Sequence, residues 1–118
     1  MGSSGKSGKG FAPNFDWSVK IVQVSPGVAG FRPDVLGAKV GDSLQAQVND
    51  IVTWGNTTPD THQPVRVDNG QPLCDPIPGN GSSTPQYVVQ GAVGDVIKYK
   101  CSFHSLETGS ITIVANFT

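Results

Sequence analysis

Hydrophobic and polar side chains alternate through Ser18–Ser25 (SVKIVQVS), with Val19, Ile21 and Gln23 on one face, Lys20, Val22 and Val24 on the other, and Pro26-Gly27 ending the run. This period of two predicts a first strand. A Gly/Pro-bearing stretch through Phe31 and Pro33 leads to a weaker strand over Ala38–Gln47, interrupted by the turn signal Gly41-Asp42. Asn49-Asp50 marks another turn, and Ile51–Asn56 (IVTWGN), rich in β-branched and aromatic residues, predicts the next strand. Thr57–Pro85 is irregular, with Pro59, Pro64, Pro72, Pro76, Pro78 and Pro85 beside Asn69-Gly70 and Asn80-Gly81. A connection this long in a compact domain serves a function or wraps a site. Gln86–Gln90, Asp95–Cys101 and Ser110–Phe117 supply three more strands, the last alternating almost throughout. Six to eight strands without a long helix predict an all-β fold, an antiparallel Greek-key β-sandwich.

Composition supports strands: 29 residues are Val, Ile or Thr, against 11 that are Leu, Ala or Met. The 118 residues suit one domain, expected over 11–118. The opening MGSSGKSGKG reads as a flexible linker or cloning scar over 1–10, with no apolar core of an export signal. Without Lys6 and Lys9 the formal charge moves from -1 to -3. Six Lys and two Arg, with no basic run, disfavour a nucleic-acid partner. No apolar run approaches the roughly 20 residues of a membrane span.

The residues able to bind a soft metal are few: two His, two Cys, one Glu and one Met. His62 follows the Trp54 strand, while Cys101, His104 and Glu107 fall within CSFHSLETG, a tight loop between two strands. Cys101 and His104 can therefore turn toward one point, with His62 arriving from a neighbouring loop. One thiolate and two imidazoles form the trigonal set that holds copper in electron-transfer sites.

Three stretches carry a resemblance to the cupredoxins, the small blue-copper family with plastocyanin- and amicyanin-like members. They are VTWGN (Val52–Asn56) followed by His62, the approach GDVIKYK (Gly94–Lys100) into Cys101, and the ligand loop closing on Gly109 and Ile111–Val114. The resemblance implies His62, Cys101 and His104 as equatorial ligands of one copper ion. It also implies Asn56 as the residue that ties the His62 loop to the start of the Cys101 loop near Ser102. In the short loop form of the family, C-x-x-H-x-x-M-x-G, a weak axial Met stands where this chain has Glu107; its sole Met is Met1. A carboxylate is harder than a thioether and favours Cu(II), so a lowered potential and a red-copper, nitrosocyanin-like character are expected, in ligand type only.

The function expected is single-electron transfer, with redox partner proteins docking weakly on an apolar patch of Pro64, Phe103 and Leu106 around His104. The family likeness implies a periplasmic or extracellular location. Alternatives are a copper site with a labile position that takes nitric oxide or peroxide, and a copper carrier. Glu107 pointing into solvent is the plainer alternative to ligation. Cys74 is expected to be a free thiol on the long loop, able to link two molecules as a dimer; a Cys74 to Cys101 disulfide would leave no copper site. Asp60, Asp68 and Asp75 match no calcium loop and read as solvated turn residues. The sequons at Asn56, Asn80 and Asn116 carry no weight without a eukaryotic secretory setting.

Overall fold

The computed structural model describes residues 15–115, so the 1–10 segment and the last residues of the expected Ser110–Phe117 strand lie outside it. Eight strands form: β1 (Asp16–Ser25), β2 (Val28–Pro33), β3 (Ser43–Ala46), β4 (Ile51–Asn56), β5 (Pro64–Arg66), β6 (Tyr87–Val88), β7 (Val96–Cys101) and β8 (Thr108–Ile113). One sheet has the order β2-β1-β4-β6 and the other β3-β8-β7-β5. The chain is an all-β sandwich without a helix among the described residues.

Both sheets are mixed rather than wholly antiparallel: β1 pairs parallel to β4, and β3 parallel to β8. The chain leaves the first sheet after β2, enters the second at β3 and returns at β4, so these neighbours are joined by crossovers rather than hairpins. β1 and β2 do form a hairpin, across a turn in which Gly27 takes φ 74°, a conformation open to glycine at little cost.

Alternation places Val19 and Ile21 of β1, Val52 and Trp54 of β4, Ile97 and Tyr99 of β7, and Ile111 and Ile113 of β8 in one core between the sheets. Tyr99 meets Phe31 edge-on at 4.9 Å and Trp54 at 5.5 Å. Such pairs contribute about 0.5–1.5 kcal/mol each beyond the area they bury. At one end Asp50, fully buried, accepts hydrogen bonds from the Phe15 and Gln47 amides and from Trp17 Nε1. Those donors satisfy the carboxylate and pin the start of β1 beside β4.

Two strands depart from the sequence expectation. β2 forms within the stretch expected to be irregular: Ala29, Gly30 and Phe31 are buried consecutively, which erases alternation. Val40 packs where a side chain at Gly30 would stand. β5 lies inside the long Thr57–Pro85 connection, only three residues long and paired to β7. Of Ala38–Gln47 only Ser43–Ala46 is strand; Lys39 and Asp42 form a turn closed by the Lys39 amide on Asp42 Oδ2.

Candidate metal centre

The β7–β8 hairpin builds three corners of the site. The His104 amide donates to the Cys101 carbonyl at 3.3 Å, the Glu107 amide to the His104 carbonyl at 2.9 Å, and the Cys101 amide to the Glu107 carbonyl at 2.9 Å. These successive tight turns give a spacing of three that brings Cys101, His104 and Glu107 to one side of the loop. The fourth corner comes from the segment after β4. His62 exchanges backbone hydrogen bonds with Ile77, its amide to the Ile77 carbonyl at 3.1 Å and the reverse at 2.7 Å, which fixes the imidazole over the end of β7.

His62 Nδ1, Cys101 Sγ, His104 Nδ1 and Glu107 Oε1 converge, each offering one donor atom, all within 4.8 Å of one another. Sγ lies 3.7 Å from His62 Nδ1 and 3.5 Å from His104 Nδ1. Glu107 Oε1 stands 2.9 Å from His62 Nδ1 and 3.5 Å from His104 Nδ1. Metal bonds of about 2.0–2.3 Å in a tetrahedral arrangement place donors about 3.3–3.8 Å apart, which suits the two sulfur–imidazole spacings and the Glu107–His104 spacing, while the Glu107–His62 pair is closer and the set as a whole extends to 4.8 Å. His62, Cys101 and Glu107 are buried, and the His104 side chain is 40% exposed.

Glu107 decides whether these residues suit a metal. Its Oε2 accepts the Ala29 amide of β2 at 3.3 Å, whereas Oε1 is buried without a hydrogen-bond partner among the described residues. The close His62 Nδ1 does not have the geometry of a hydrogen bond to it. An unpartnered carboxylate oxygen in the interior costs several kcal/mol by desolvation, and a cation among the four donors removes that cost. The mixed thiolate, imidazole and carboxylate set fits a transition metal rather than calcium or magnesium. The alternative of a solvent-facing Glu107 is thereby overturned: the carboxylate is buried and turned inward.

The residues around the donors are partly those expected. Asn56 is buried, but its Nδ2 donates to the Asp60, Ile77 and Pro78 carbonyls, tying the His62 loop to the Ile77–Pro78 segment rather than to Ser102. Ser102 is held by Gln63: its amide donates to the Gln63 carbonyl at 2.8 Å and its hydroxyl to Gln63 Oε1 at 3.0 Å. Gln63 thus makes the link between the two ligand segments that Asn56 was expected to make. It sits beside His62 in sequence, which was the available signal.

Phe103 and Leu106 are exposed beside His104, Leu106 almost fully. Pro64 is not part of that patch; it is buried at the start of β5, opposite Cys101. Val28 of β2 is exposed in its stead and, with Gly27, Ala29, His104, Ser105, Leu106 and Glu107, lines a cavity of about 310 Å³.

Both cysteines are free, so the Cys74 to Cys101 disulfide is not formed. Cys74 is buried rather than displayed on a loop, and a cross-link through it would require that loop to open. Asp68 is exposed and paired with Arg66 at 2.9 Å, which holds its carboxyl below the usual range, in keeping with a solvated turn residue. No helix among the described residues is long and apolar enough to cross a membrane.

No family model and no curated protein matches the chain. Solved structures do. A mutant of amicyanin in its Cu(I) form matches at 17% identity, over 81% of this chain and 79% of that one, with a TM-score of 0.58. Another amicyanin mutant, in a reduced Cu(I) form at pH 4, matches at 16% identity over 90% and 87%, with a TM-score of 0.59.

Proposed function

We propose that this chain, whose sandwich has the cupredoxin fold, is a mononuclear copper protein that passes single electrons through His62, Cys101, His104 and Glu107. The observation that carries the reading is the convergence of one thiol sulfur, two imidazole nitrogens and a carboxylate oxygen that is buried without a hydrogen bond. Bound copper would supply the one-electron chemistry, Cu(II) to Cu(I) and back. Cys101 would supply the soft thiolate, and His62 and His104 would supply nitrogen donors. Glu107 supplies a hard anionic oxygen where a thioether is usual in the family, which favours Cu(II) and lowers the potential. The sandwich holds three donors on one hairpin and one on the neighbouring segment, a frame that would restrain them in both oxidation states.

His104 is the exposed edge of the site, flanked by Phe103, Leu106 and Val28. A redox partner docking weakly on that apolar patch comes within reach of the ligand sphere without any opening of the fold. The periplasm or the cell exterior is the compartment proposed with this role.

The cavity beside His104 and Glu107 favours a second reading, in which Glu107 yields its position to a small ligand such as nitric oxide or peroxide. Adding azide to the Cu(II) protein separates the two: an unchanged spectrum supports a closed electron carrier, and a shifted one supports an open site.

The direct test is to load the protein with Cu(II) and record visible absorption and electron paramagnetic resonance spectra beside Cys101→Ser and Glu107→Met variants. Intense thiolate charge-transfer bands lost in Cys101→Ser, and shifted toward longer wavelength in Glu107→Met, are expected. Colour that persists in Cys101→Ser would defeat the assignment, and identical spectra for wild type and Glu107→Met would remove Glu107 from the metal.

A further inference from the structure

Thr58 is buried four residues before His62, and its hydroxyl lies 2.9 Å from His62 Nε2. Which of these two atoms donates follows from the next partner along. Asn56 Nδ2 faces three carbonyl oxygens, from Asp60, Ile77 and Pro78, so the orientation of its amide is fixed with Oδ1 as the acceptor. That Oδ1 accepts the Thr58 amide at 3.0 Å and faces the Thr58 hydroxyl at 2.8 Å. A carbonyl oxygen cannot donate, so the single hydroxyl proton of Thr58 is committed to Asn56. The other oxygen within reach of that proton, the Asp60 carbonyl at 3.3 Å, is likewise only an acceptor. Thr58 Oγ1 is left to present lone pairs to His62, and His62 Nε2 must carry the proton that fills the 2.9 Å contact.

We propose that Thr58, set by Asn56, is a positioning residue that locks His62 in the tautomer with its proton on Nε2, so that Nδ1 faces Cys101 and Glu107 as a bare donor. The opposite face of the ring agrees. Nδ1 lies 2.9 Å from Glu107 Oε1 without the geometry of a hydrogen bond, so this contact asks for no proton on Nδ1. In the sequence the device is Asn56-x-Thr58-x-x-x-His62: the amide sets the hydroxyl and the hydroxyl sets the ring. The ordering serves the metal centre proposed above and rests on that reading for its purpose, although the tautomer itself exists without metal.

The experiment reads the ring nitrogens of His62 by nuclear magnetic resonance in the isotope-labelled, metal-free 118-residue chain, in wild type, Thr58→Val and Thr58→Ser, and then titrates each with Cu(II). Wild type and Thr58→Ser, which keeps the hydroxyl, should show a protonated Nε2 and an unprotonated Nδ1. Thr58→Val, which keeps the branched shape, should show mixed tautomers, a Cu(II) affinity lower by about 10–100-fold and an altered copper hyperfine pattern. A wild-type ring protonated on Nδ1 overturns the proposal, and this result needs no variant to fold. A folded Thr58→Val with unchanged tautomer and affinity overturns it as well. A locked wild-type tautomer that Thr58→Val releases, in a protein that binds no Cu(II), upholds the positioning and sinks the copper reading instead.

Discussion

Cys74 and Cys101 are both buried free thiols, and their neighbours make opposite things of them. Cys101 faces two imidazoles, whereas Cys74 packs in the apolar core next to Asp75, where burial and that carboxylate push its thiol up to about 12 from an ordinary 9.0. The thiolate is the reactive form, so Cys74 should react with a disulfide reagent far more slowly than an exposed thiol at neutral pH. The sign of its effect on stability follows. Below pH 9.0 the thiol is neutral folded or unfolded; above it only the unfolded thiol ionises, so stability falls as pH rises from 9.0 to about 12. Burial also raises the phenols of Tyr87 and Tyr99, which titrate in the same alkaline range, so the readout is a difference. Urea midpoints should fall less steeply across that window in Cys74→Ala than in wild type; parallel profiles would contradict the burial argument. At this scale the sequence disclosed the four donors because soft ligands are so scarce that they can be enumerated. It hid Thr58 and Gln63, since ordinary polar residues acquire a role only through the partner that folding places opposite them, and it hid the Ala29 amide because backbone groups leave no mark in composition.

The β7–β8 hairpin is the element that makes the site, and its closure depends on one absent side chain. A Cβ on Gly109 would stand 2.5 Å from the Tyr99 ring, which itself is wedged between Phe31 and Trp54. Gly109→Ala should therefore destabilise the protein by about 1–3 kcal/mol through overpacking and displace the loop that carries Glu107. Equal unfolding midpoints for the two proteins, with unchanged copper spectra, would show that the ring can move aside. β1, β4, β7 and β8 were legible in the sequence because each buries one face and alternates accordingly. β2 was not, because it is buried at consecutive positions under Val40; β5 was not, because three residues among prolines carry no period and are strand only by pairing with β7. The parallel pairings were equally invisible, since the pattern within a strand says which face is buried and not which strand lies beside it.

At the scale of the whole molecule the centre fastens one sheet to the other. Cys101 and Glu107 flank the hairpin of the second sheet, Ala29 donates to Glu107 from the first, and His62 hangs from the segment that leaves β4. A metal bound only by the folded arrangement adds about 4 kcal/mol at a thousandfold excess over its dissociation constant. For a domain of this size that corresponds to a rise in melting temperature of roughly 10–20 °C. Calorimetry of the Cu(II)-loaded and chelator-treated protein should show that rise and its reversal, and coincident transitions would mean that the donors close no link between the sheets.

The loop between Cys101 and Glu107 has a further property. Ser102, Phe103, Ser105 and Leu106 all face outward and none belongs to the core. Inheritance can therefore act on two parts of this chain almost separately. On the copper reading proposed above, substitutions at Phe103, Ser105 and Leu106 would alter which partner is met while leaving the core between the sheets untouched, and an exchange at Glu107 would alter the character of the metal. Under that reading, a lineage carrying such a scaffold would change its redox behaviour in small steps with the core between the sheets unaltered.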